Sequence, residues 1–576
     1  MTMTVTSLPR QYSPLSRLTP RVAIAVLMAS GLLTACGGGG GGGSKEEPVT
    51  PVAFNFVEGT VEQLHQAIVT GGTTCHDVVQ GYMDRIAKYD DDNGETDAAL
   101  NPALNSVIAV SPTALAEADA LDAEFKKTGK LVGPMHCVTV LPKDNIDTDD
   151  MPTTAGSAAM ITSQPETDAY IVKKIRDAGG IIIGKANLDE FAFGFQGNGT
   201  HPNGGQVKNA YDQTRGPGGS SSGTGAAIAA SFAMVGIGTD TGGSVRVPSS
   251  VEGLVGIRPS LRLVSQHGII PLAPFQDTAG PMCRTVQDCA LLLNAMVGFD
   301  ASPSANHRKS FERTARPMTS ADEYQRITNA PDDYTAFLDP DALKGARIGV
   351  VRALFGSNTY VNSTVNAAIE KLKEAGATVE DVVVPDLSTI TSYSSVSSYE
   401  FKSSLTAYLS MWSNINDGHY MSYDEILASG KARSNFGGYN IDLTNPTTYA
   451  AYVKNTDERN PYVRPRITRA LDNVDADGKV LGEPYDVLLY PSIQGLASTL
   501  GGSPSTGSNN RLSPFSGFPA MSIPAGMVEE VTGKPLLPVG MEMLAREFDE
   551  PTLISLGYAW QQHAQPRQAP TFTPEL

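Results

Sequence analysis

The chain has few histidines and no sequence pattern typical of a metal site. Its eight histidines are scattered, and neither Cys-x-x-Cys nor His-Glu-x-x-His spacing occurs. The glycine-rich stretches complete neither Gly-x-Gly-x-x-Gly nor a P-loop, which disfavours nucleotide binding. We therefore expect a protein that works without a metal ion or another cofactor.

Basic residues are also scarce, since 43 Lys and Arg stand against 61 Asp and Glu and give a formal net charge of −18. This balance disfavours nucleic-acid binding and offers no polybasic patch for a membrane surface. It also favours the approach of neutral or cationic substrates over anionic ones. No long linker or internal repeat divides the part that reads as folded, and 41% hydrophobic residues are ample for a core, so one large domain is expected.

The N-terminal segment carries a targeting signal. Arg10, Arg17 and Arg21 precede an apolar run at residues 22–33, which is too short to span a bilayer as a helix. Small residues then lead to Cys36 in the sequence Leu-Thr-Ala-Cys. The segment resembles a bacterial lipoprotein signal, with an ordinary secretory signal as the alternative.

This signal predicts how the chain is divided and where it resides. Residues 1–35 form the signal peptide, Cys36 carries the lipid, 36–55 form a glycine-rich tether, and 56–576 form the folded domain. The protein is then exported and held on a bacterial membrane, facing the periplasm or at the outer membrane. An exported chain can oxidise some of its remaining cysteines, but the sequence leaves their pairing open. These cysteines are Cys75, Cys137, Cys283 and Cys289.

Apolar periodicity predicts that helices and strands alternate along the chain. The predicted helices lie at residues 75–89, 113–127, around 171–175 and at 363–374. The predicted strands lie at 138–141, 180–184, 347–352, 378–384 and 486–490. This alternation favours an α/β fold around one mixed sheet. Residues 393–480 show no clear period and stay unassigned.

Two serines stand in glycine-rich turns 24 residues apart, Ser220 within residues 216–225 and Ser244 within 238–246. Lys143, which follows a short apolar run, precedes the first serine by 77 residues. Lysine, serine and serine in this order resemble the amidase signature family. Five further motifs share the resemblance, at residues 133–136, 151–157, 183–191, 277–282 and 518–526.

The resemblance covers roughly residues 60–565 and therefore nearly the whole folded domain. It implies a single large domain in which a twisted mixed β-sheet is covered by helices on both faces. In relatives, variable stretches such as residues 393–480 help to line the substrate pocket.

Ser244 follows Gly242 and Gly243, which let the backbone approach a substrate carbonyl and turn several N–H groups toward one point. Such a group of donors is what an oxyanion requires. We expect the oxyanion hole to consist of the backbone N–H groups of Thr241, Gly242, Gly243 and Ser244. By the resemblance Ser244 is the nucleophile, and a serine that only completes a tight turn is the alternative.

No histidine lies in these motifs to activate a serine, so a lysine has to act as the base. A lysine with its ordinary pKa of about 10.4 is protonated at neutral pH, so we expect Lys143 to be buried with a lowered pKa. Pairing with neighbouring aspartates is the alternative. The resemblance implies that Ser220 relays the proton from Ser244 to Lys143 and that the peptide bond between Gly219 and Ser220 is cis.

Asp240 and Arg246 flank the second serine motif and are expected to brace its loop, with a surface salt bridge as the alternative. Ser221, next to Ser220, is expected to support the site without taking part in the reaction. Ser221 also fits Gly-x-Ser-x-Gly as the nucleophile of an α/β-hydrolase. That elbow needs a strand before it, however, and residues 214–218 read as a loop.

These motifs predict an amide hydrolase that works through an acyl-enzyme. C-terminal peptide amides or other small carboxamides are the expected substrates, because the overall pattern looks closest to the peptide-amidase and general-amidase branch. Anilides are the alternative. An aromatic pocket for them would draw on Phe515, Phe518, Tyr393 and Tyr399.

Two other roles are less favoured. Some relatives release ammonia for transfer to glutamyl-tRNA in the cytoplasm, which the export signal disfavours. A lipid-anchored binding protein on the same scaffold is disfavoured because Lys143, Ser220 and Ser244 are all retained. The expected partners are the amide substrate and the membrane, not nucleic acid, and the sequence predicts no oligomeric state.

Overall fold

A ten-stranded β-sheet forms the centre of the molecule. The computed structural model describes most of the chain, namely residues 50–90, 103–302, 318–412 and 419–576. The predicted signal peptide, the lipidation site Cys36 and most of the predicted tether lie outside the described residues. None of the described helices is long and apolar enough to cross a membrane.

The spatial order of the strands differs from their order in the chain. Across the large sheet the order is β3 (Ile181–Ile182), β2 (Thr139–Pro142), β5 (Val235–Asp240), β7 (Thr278–Cys283), β6 (Val255–Arg258), β11 (Ala520–Val528), β12 (Leu537–Leu544), β10 (Val487–Pro491), β8 (Arg347–Val350) and β9 (Thr378–Asp381). β3, β2 and β5 are parallel, as are β10, β8 and β9, whereas the strands between these groups pair antiparallel. A separate antiparallel pair is formed by β1 (Val107–Val110) and β4 (Gly184–Ala186).

Helices connect these strands. In the first half of the chain they are α1 (Val61–Thr70), α2 (Cys75–Tyr89), α3 (Ala114–Thr128), α4 (Tyr170–Asp177), α5 (Ser222–Ala229), α6 (Arg246–Val251) and α7 (Val286–Met296). In the second half they are α8 (Ala321–Thr328), α9 (Thr359–Glu374), α10 (Leu387–Ser392), α11 (Ser397–Leu409), α12 (Tyr423–Ser429), α13 (Pro446–Val453), α14 (Arg459–Leu471), α15 (Leu512–Ser516) and α16 (Glu550–Ala564).

Successive residues of β10 enter different hydrophobic cores, because side chains alternate across a strand. Val487 and Leu489 join the larger core, which includes residues of α7, α9 and α16. Leu488 and Tyr490 join a second core with residues of α14 and α15. Helices therefore cover both faces of the sheet. The predicted fold class is confirmed: a single α/β domain with a large mixed sheet flanked by helices.

The predicted elements agree closely with the structure where a local signal marks their ends. Helix α2 has the predicted bounds, and the Thr74 hydroxyl accepts a hydrogen bond from the backbone N–H of Asp77 at 3.0 Å. Helix α9 begins four residues before the prediction, because the side chain of Asn358 accepts from the backbone N–H of Val361 at 3.1 Å. The single strand predicted at residues 180–184 is divided between β3 and β4.

In its described part, the unassigned segment at residues 393–480 contains four α-helices, α11 to α14. Helix α11 buries Phe401 and Leu405 in an aromatic core, and it also buries the carboxylate of Glu400. Glu400 accepts from the backbone N–H of Phe275 at 3.0 Å and from the Tyr452 hydroxyl at 2.8 Å. A buried acid within the apolar face of the helix hides its period, which explains why the sequence pattern failed here.

The four cysteines of the described residues form two disulfide bonds, and the sequence alone leaves this pairing open. Cys75 at the start of α2 pairs with Cys137, two residues before β2. Cys283 at the end of β7 pairs with Cys289 in α7. All four side chains are buried.

Candidate active site

The lysine and the second serine motif meet because they follow neighbouring parallel strands. β2 ends at Pro142 and is followed by Lys143, while β5 ends at Asp240 and is followed by the turn that carries Ser244. The carboxyl ends of parallel strands lie at the same edge of a sheet. The backbone N–H of Lys143 donates to the carbonyl of Ile237 in β5 at 2.9 Å, which fixes the two segments against each other.

Lys143 is fully buried and lies between two hydroxyl groups. Its Nζ donates to Ser220 Oγ at 2.7 Å and to Thr239 Oγ1 at 2.9 Å. Burial lowers the pKa of Lys143 to about 7, against the opposing charges of Asp189, Asp240 and Asp277. The ammonium group therefore loses its proton near neutral pH, and the alternative of a lysine paired with neighbouring aspartates does not hold.

Ser220 and the glycine before it are held in place by contacts with Asp189. The peptide bond between Gly219 and Ser220 is cis, as the family resemblance implies. The carbonyl of Ser220 accepts from the backbone N–H of Asp189 at 3.2 Å. The carboxylate of Asp189 packs against Gly219 so closely that a Cβ there would overlap Asp189 Oδ2. Glycine at 219 is therefore required by space.

Ser244 lies at the open side of the same site and lines a cavity. Its carbonyl accepts from the backbone N–H of Ser221 at 3.2 Å. Within the described residues, the Ser244 hydroxyl makes no hydrogen bond to Ser220. Hydrogen bonds between catalytic groups are often long in a protein without substrate and shorten in the substrate complex.

The turn before Ser244 differs in one respect from the predicted oxyanion hole. Gly243 has a φ of +122°, which favours glycine, and its N–H donates to Asp240 Oδ1 at 2.7 Å. The N–H of Gly243 is therefore engaged by Asp240 and is not free to bind a substrate carbonyl. In the described part of the chain the N–H groups of Thr241, Gly242 and Ser244 have no such partner. The expected set of four donors is thereby corrected to three.

The predicted brace of the turn is a buried charge network. Arg246 Nε donates to Asp240 Oδ2 at 3.1 Å, and Arg246 Nη1 donates to Glu542 Oε1 at 2.7 Å. Arg258 Nη1 reaches Asp240 Oδ1 at 3.2 Å. Although burial raises the pKa of Asp240, the charges of Arg246 and Arg258 hold it well below its ordinary value. The alternative of a surface salt bridge is wrong, because Asp240 and Arg246 are both buried.

Ser221 is occupied by the backbone of β5. Its hydroxyl accepts from the N–H of Thr239 and donates to the carbonyl of the same residue, both at 3.3 Å. A loop precedes Ser221, and α5 begins directly after it at Ser222. An α/β-hydrolase elbow needs a strand before its nucleophile. The structure therefore excludes Ser221 as an elbow nucleophile and supports its secondary role.

The cavity in front of Ser244 has a volume of about 310 Å³. One side is apolar, with Phe193, Phe195, Leu272 and Phe515. The other side carries Gln276, Ser394, Ser395, Ser397, Asn510 and Arg511. Arg511 is the single charged side chain among the residues that line this cavity in the described part of the chain. A larger cavity of about 570 Å³, between α1 and α16, contains none of the predicted site residues.

The aromatic residues predicted for a substrate pocket are only partly at this cavity. Phe515 lines it, whereas Phe518 and Tyr393 belong to the core beneath it and Tyr399 packs in another cluster. Sequence reasoning missed Phe193, whose ring stacks on Tyr439 with centroids 3.6 Å apart. Phe193 lies two residues after the motif at residues 183–191. Its position next to that motif was the one sequence feature that could have pointed to it.

Asn510 and Asp189 are also residues that sequence reasoning missed. The side-chain amide of Asn510 donates to the carbonyl of Gly242 and so holds the turn from a position 268 residues away. Asp189 lies within one of the motifs but received no role. Burial raises its pKa to about 6.

A buried lysine that loses its proton near neutral pH, a serine hydroxyl bonded to it, and a turn of unpaired N–H groups beside a second serine together define a hydrolase that acts on acyl groups. Residues 95–554 match the family model described as Amidase. The chain belongs to this amidase family.

Known relatives agree with this assignment over almost their whole length. A glutamyl-tRNA(Gln) amidotransferase subunit of Alkaliphilus metalliredigens is 32% identical, with 88% of this chain and 96% of the relative covered. The native peptide amidase of Stenotrophomonas maltophilia is 30% identical, with a TM-score of 0.71 and coverage of 89% and 99%. An amidase family protein of Bacillus anthracis is 28% identical, with a TM-score of 0.69 and coverage of 90% and 93%. The protein is therefore an amidohydrolase of the amidase signature type, not a binding protein on an inactive scaffold.

Proposed function

We propose that the protein cleaves carboxamides through an acyl-enzyme on Ser244, with Ser220 as the proton relay and Lys143 as the base. The observation that carries this proposal is the 2.7 Å hydrogen bond between Lys143 Nζ and Ser220 Oγ in a fully buried environment. With its pKa lowered to about 7, a large fraction of Lys143 is neutral under physiological conditions and can accept a proton.

The proposed reaction proceeds in two halves. Ser244 Oγ attacks the carbonyl carbon while its proton passes to Ser220 and the Ser220 proton passes to Lys143. The negative charge on the carbonyl oxygen is accepted by the N–H groups of Thr241, Gly242 and Ser244. The Lys143 ammonium then returns a proton through Ser220 to the leaving nitrogen, the C–N bond breaks, and an ester to Ser244 remains. Water repeats these steps and releases the carboxylic acid.

The nucleophile is tested with Ser244→Ala, because that hydroxyl alone is assigned a bond to the acyl carbon. We expect hydrolysis to be abolished in a protein that remains folded. Intact-mass measurement after a slow amide or ester substrate should show an acyl adduct on the wild type and none on the variant. Ser222→Ala is the matched control, since it removes a buried serine hydroxyl at the start of α5, outside the turn that carries Ser244, and should leave the adduct in place. An adduct on any residue other than Ser244 contradicts the proposal.

For the substrate, we propose C-terminal peptide amides or other small carboxamides. The solved peptide amidase of Stenotrophomonas maltophilia supports this choice, since 89% of the chain aligns with it. A cavity of about 310 Å³ also suits one amino-acid residue with part of its neighbour. Arg511 offers donors to the carbonyl groups of a peptide.

Anilides are the second candidate, and a specific observation favours them. Phe193, Phe195 and Phe515 form one side of the cavity, and aromatic rings favour offset or edge-to-face contact with another ring. The same rings would also hold the side chain of a phenylalaninamide. The discriminating measurement is kcat/KM for peptide amides, aliphatic amides, acetanilides and ester analogues with one enzyme preparation. A tenfold preference for anilides, about 1.4 kcal/mol in transition-state binding, would replace the peptide-amide assignment.

We further propose that the protein is exported and attached to a membrane through lipid on Cys36. The two disulfides support export, because such bonds persist in oxidising compartments. Cys36→Ser is expected to leave an unprocessed precursor in the producing cell. Globomycin-treated wild-type cells provide the matched control, and normal cleavage with release of soluble protein from the variant would indicate an ordinary secretory signal.

A further inference from the structure

Asp189 contacts both residues of the cis peptide bond at the candidate active site. Its backbone N–H donates to the carbonyl of Ser220 at 3.2 Å, and its carboxylate packs against Gly219. Asp189 Oδ1 accepts from the N–H groups of Gln196 and Gly197, each at 3.0 Å. Asp189 Oδ2 is buried and has no hydrogen-bond partner in the described residues. One carboxylate oxygen thus holds a loop, and the other is left without a donor.

The carboxylates around Lys143 differ in how far their charges are neutralised. Asp189, Asp240 and Asp277 all act on the lysine, with Asp189 exerting the largest effect. Asp240 is hydrogen-bonded to two arginines, Arg246 and Arg258.

Asp277 is neutralised in another way. It accepts from the Thr241 hydroxyl at 2.5 Å and from two backbone N–H groups, and Arg258 also acts on it. Among the described residues, the cations that act on Asp189 are Lys143 and, more weakly, Arg433. Arg433 in turn is engaged by Glu190 and by Asn198, to which it donates at 2.9 Å. Asp189 therefore carries the least neutralised negative charge near the lysine.

We propose that Asp189 is a positioning residue for the proton relay: its N–H holds Ser220 toward Lys143, and its free carboxylate oxygen stabilises the lysine ammonium that forms when a proton arrives. This inference rests on the proposed roles of Lys143 and Ser220. In a buried site, an ammonium that forms near an ionised carboxylate is stabilised far more than it would be in solvent. The pKa of Asp189, raised to about 6 by burial, leaves it ionised when Lys143 is neutral.

Asp189→Asn tests the charge while keeping the shape. The amide oxygen can still accept from Gln196 and Gly197, and the backbone N–H to Ser220 is unchanged. Removing the negative charge lowers the pKa of Lys143, so the rise of kcat/KM with pH should move to lower pH by about one unit. The plateau rate should fall about tenfold, because the ammonium form of the lysine has lost its stabilising partner.

Asp277→Asn is the matched control, since it removes a buried carboxylate that acts on the same lysine but is stabilised by three hydrogen bonds and by the charge of Arg258. It should move the pH profile less than Asp189→Asn does. An equal shift in both variants would mean that Asp189 has no role beyond that of the other buried carboxylates. A fall in rate at an unchanged midpoint, with a lowered Tm, would mean that Asp189 acts only through general structure. Either result overturns the proposal.

A direct titration separates this inference from the proposed function. Lysine labelled with ¹³C at Cε reports the pKa of Lys143 by NMR, with Lys143→Arg identifying its signal. If the Asp189→Asn substitution lowers this pKa but Lys143→Ala keeps full activity, Asp189 stabilises the lysine ammonium as inferred, but the proposed mechanism fails and with it the role of Asp189 in a proton relay. If Lys143→Ala is inactive and Asp189→Asn leaves the pKa unchanged, the mechanism stands and the role of Asp189 fails.

Discussion

Two parts of the site treat buried charge in opposite ways. At the turn between β5 and α6, Asp240 accepts from Arg246 and Arg258, and Arg246 reaches a second carboxylate on Glu542. At Lys143, no carboxylate of the described residues lies within salt-bridge distance, and the partners of Nζ are hydroxyl groups. The paired charges hold a rigid arrangement of backbone donors. The unpaired lysine can change its charge during a reaction.

The contrast follows from what each part has to do. An oxyanion hole works by donors that do not need to move. A turn braced by Asp240, whose pKa two arginines hold well below its ordinary value, suits this task. A general base works best with a pKa near the operating pH, which a salt bridge would prevent by stabilising the ammonium form. Full burial with hydroxyl partners gives Lys143 a pKa of about 7 instead.

The largest expected effect comes from Lys143→Met, which removes the base and fills its space with an apolar side chain. We expect kcat/KM to fall by about 10⁴-fold, or about 5.5 kcal/mol, without loss of stability. Activity assays and thermal unfolding at pH 6 check both halves of this statement. A variant that unfolds at lower temperature at this pH would show that Lys143 is a structural residue and would break the comparison.

The Lys143→Met variant also predicts how the stability of the wild type changes with pH. The pKa of Lys143 is lowered from 10.5 in the unfolded chain to about 7 in the folded one, so the unfolded state binds more protons between these values. Wild-type stability therefore rises with pH across this window relative to the variant, because ∂ΔG/∂pH follows the excess of protons in the unfolded state. The advantage of Lys143→Met in Tm should be greatest below pH 7 and decrease toward pH 10. An advantage that grows with pH is the contrary result.

Asp240→Asn is expected to act on the other part of the comparison, with a loss of about 3–5 kcal/mol in the free energy of unfolding. It leaves two buried arginines facing a neutral amide and places an NH₂ group against a backbone N–H. Asp381→Asn is the matched control, because its pair with Arg352 at 2.7 Å is exposed and should contribute less than about 1 kcal/mol. Equal losses in chemical denaturation would show that the network at the turn does not brace it.

Site residues marked by local sequence motifs could be predicted from the sequence, whereas contacts between distant parts of the chain could not. Glycine-rich turns and short apolar strands are local signals, so Lys143, Ser220 and Ser244 could be singled out from their own neighbourhoods. The contact of Arg246 with Glu542 spans 296 residues, and that of Asn510 with Gly242 spans 268. Such pairs depend on how β12 and the segment just before α15 reach the turn, which no single stretch of sequence encodes.

The fold was predicted in the same uneven way. Strands and helices with clear periodicity and caps, such as α2, have the expected bounds. Residues 393–480 could not be assigned because their helices bury polar groups, including the carboxylate of Glu400, among apolar side chains. The family resemblance correctly implied an architecture that periodicity alone could only suggest as an α/β fold.

The smallest expected effect concerns another cation, Arg511, which lines the cavity in front of Ser244 and extends the comparison to the substrate pocket. Like Lys143 it has no salt bridge within the described residues; one of its N–H groups donates to the carbonyl of Thr391, and the side chain lines the cavity. A guanidinium with unused donors favours a carboxylate or carbonyl acceptor. The local field at the cavity then opposes the field of the acidic chain, which by itself favours neutral or cationic substrates.

The test of Arg511 compares N-succinyl-phenylalaninamide with N-acetyl-phenylalaninamide, two substrates that differ by one carboxylate. We expect Arg511→Gln to lower kcat/KM for the succinyl substrate about tenfold, or about 1.4 kcal/mol, and to change the acetyl substrate much less, because only the former loses a charged partner. Arg352→Gln, an exposed arginine outside the cavity, controls for long-range effects of charge. Equal losses on both substrates would mean that Arg511 acts through the shape of the cavity and not through its charge.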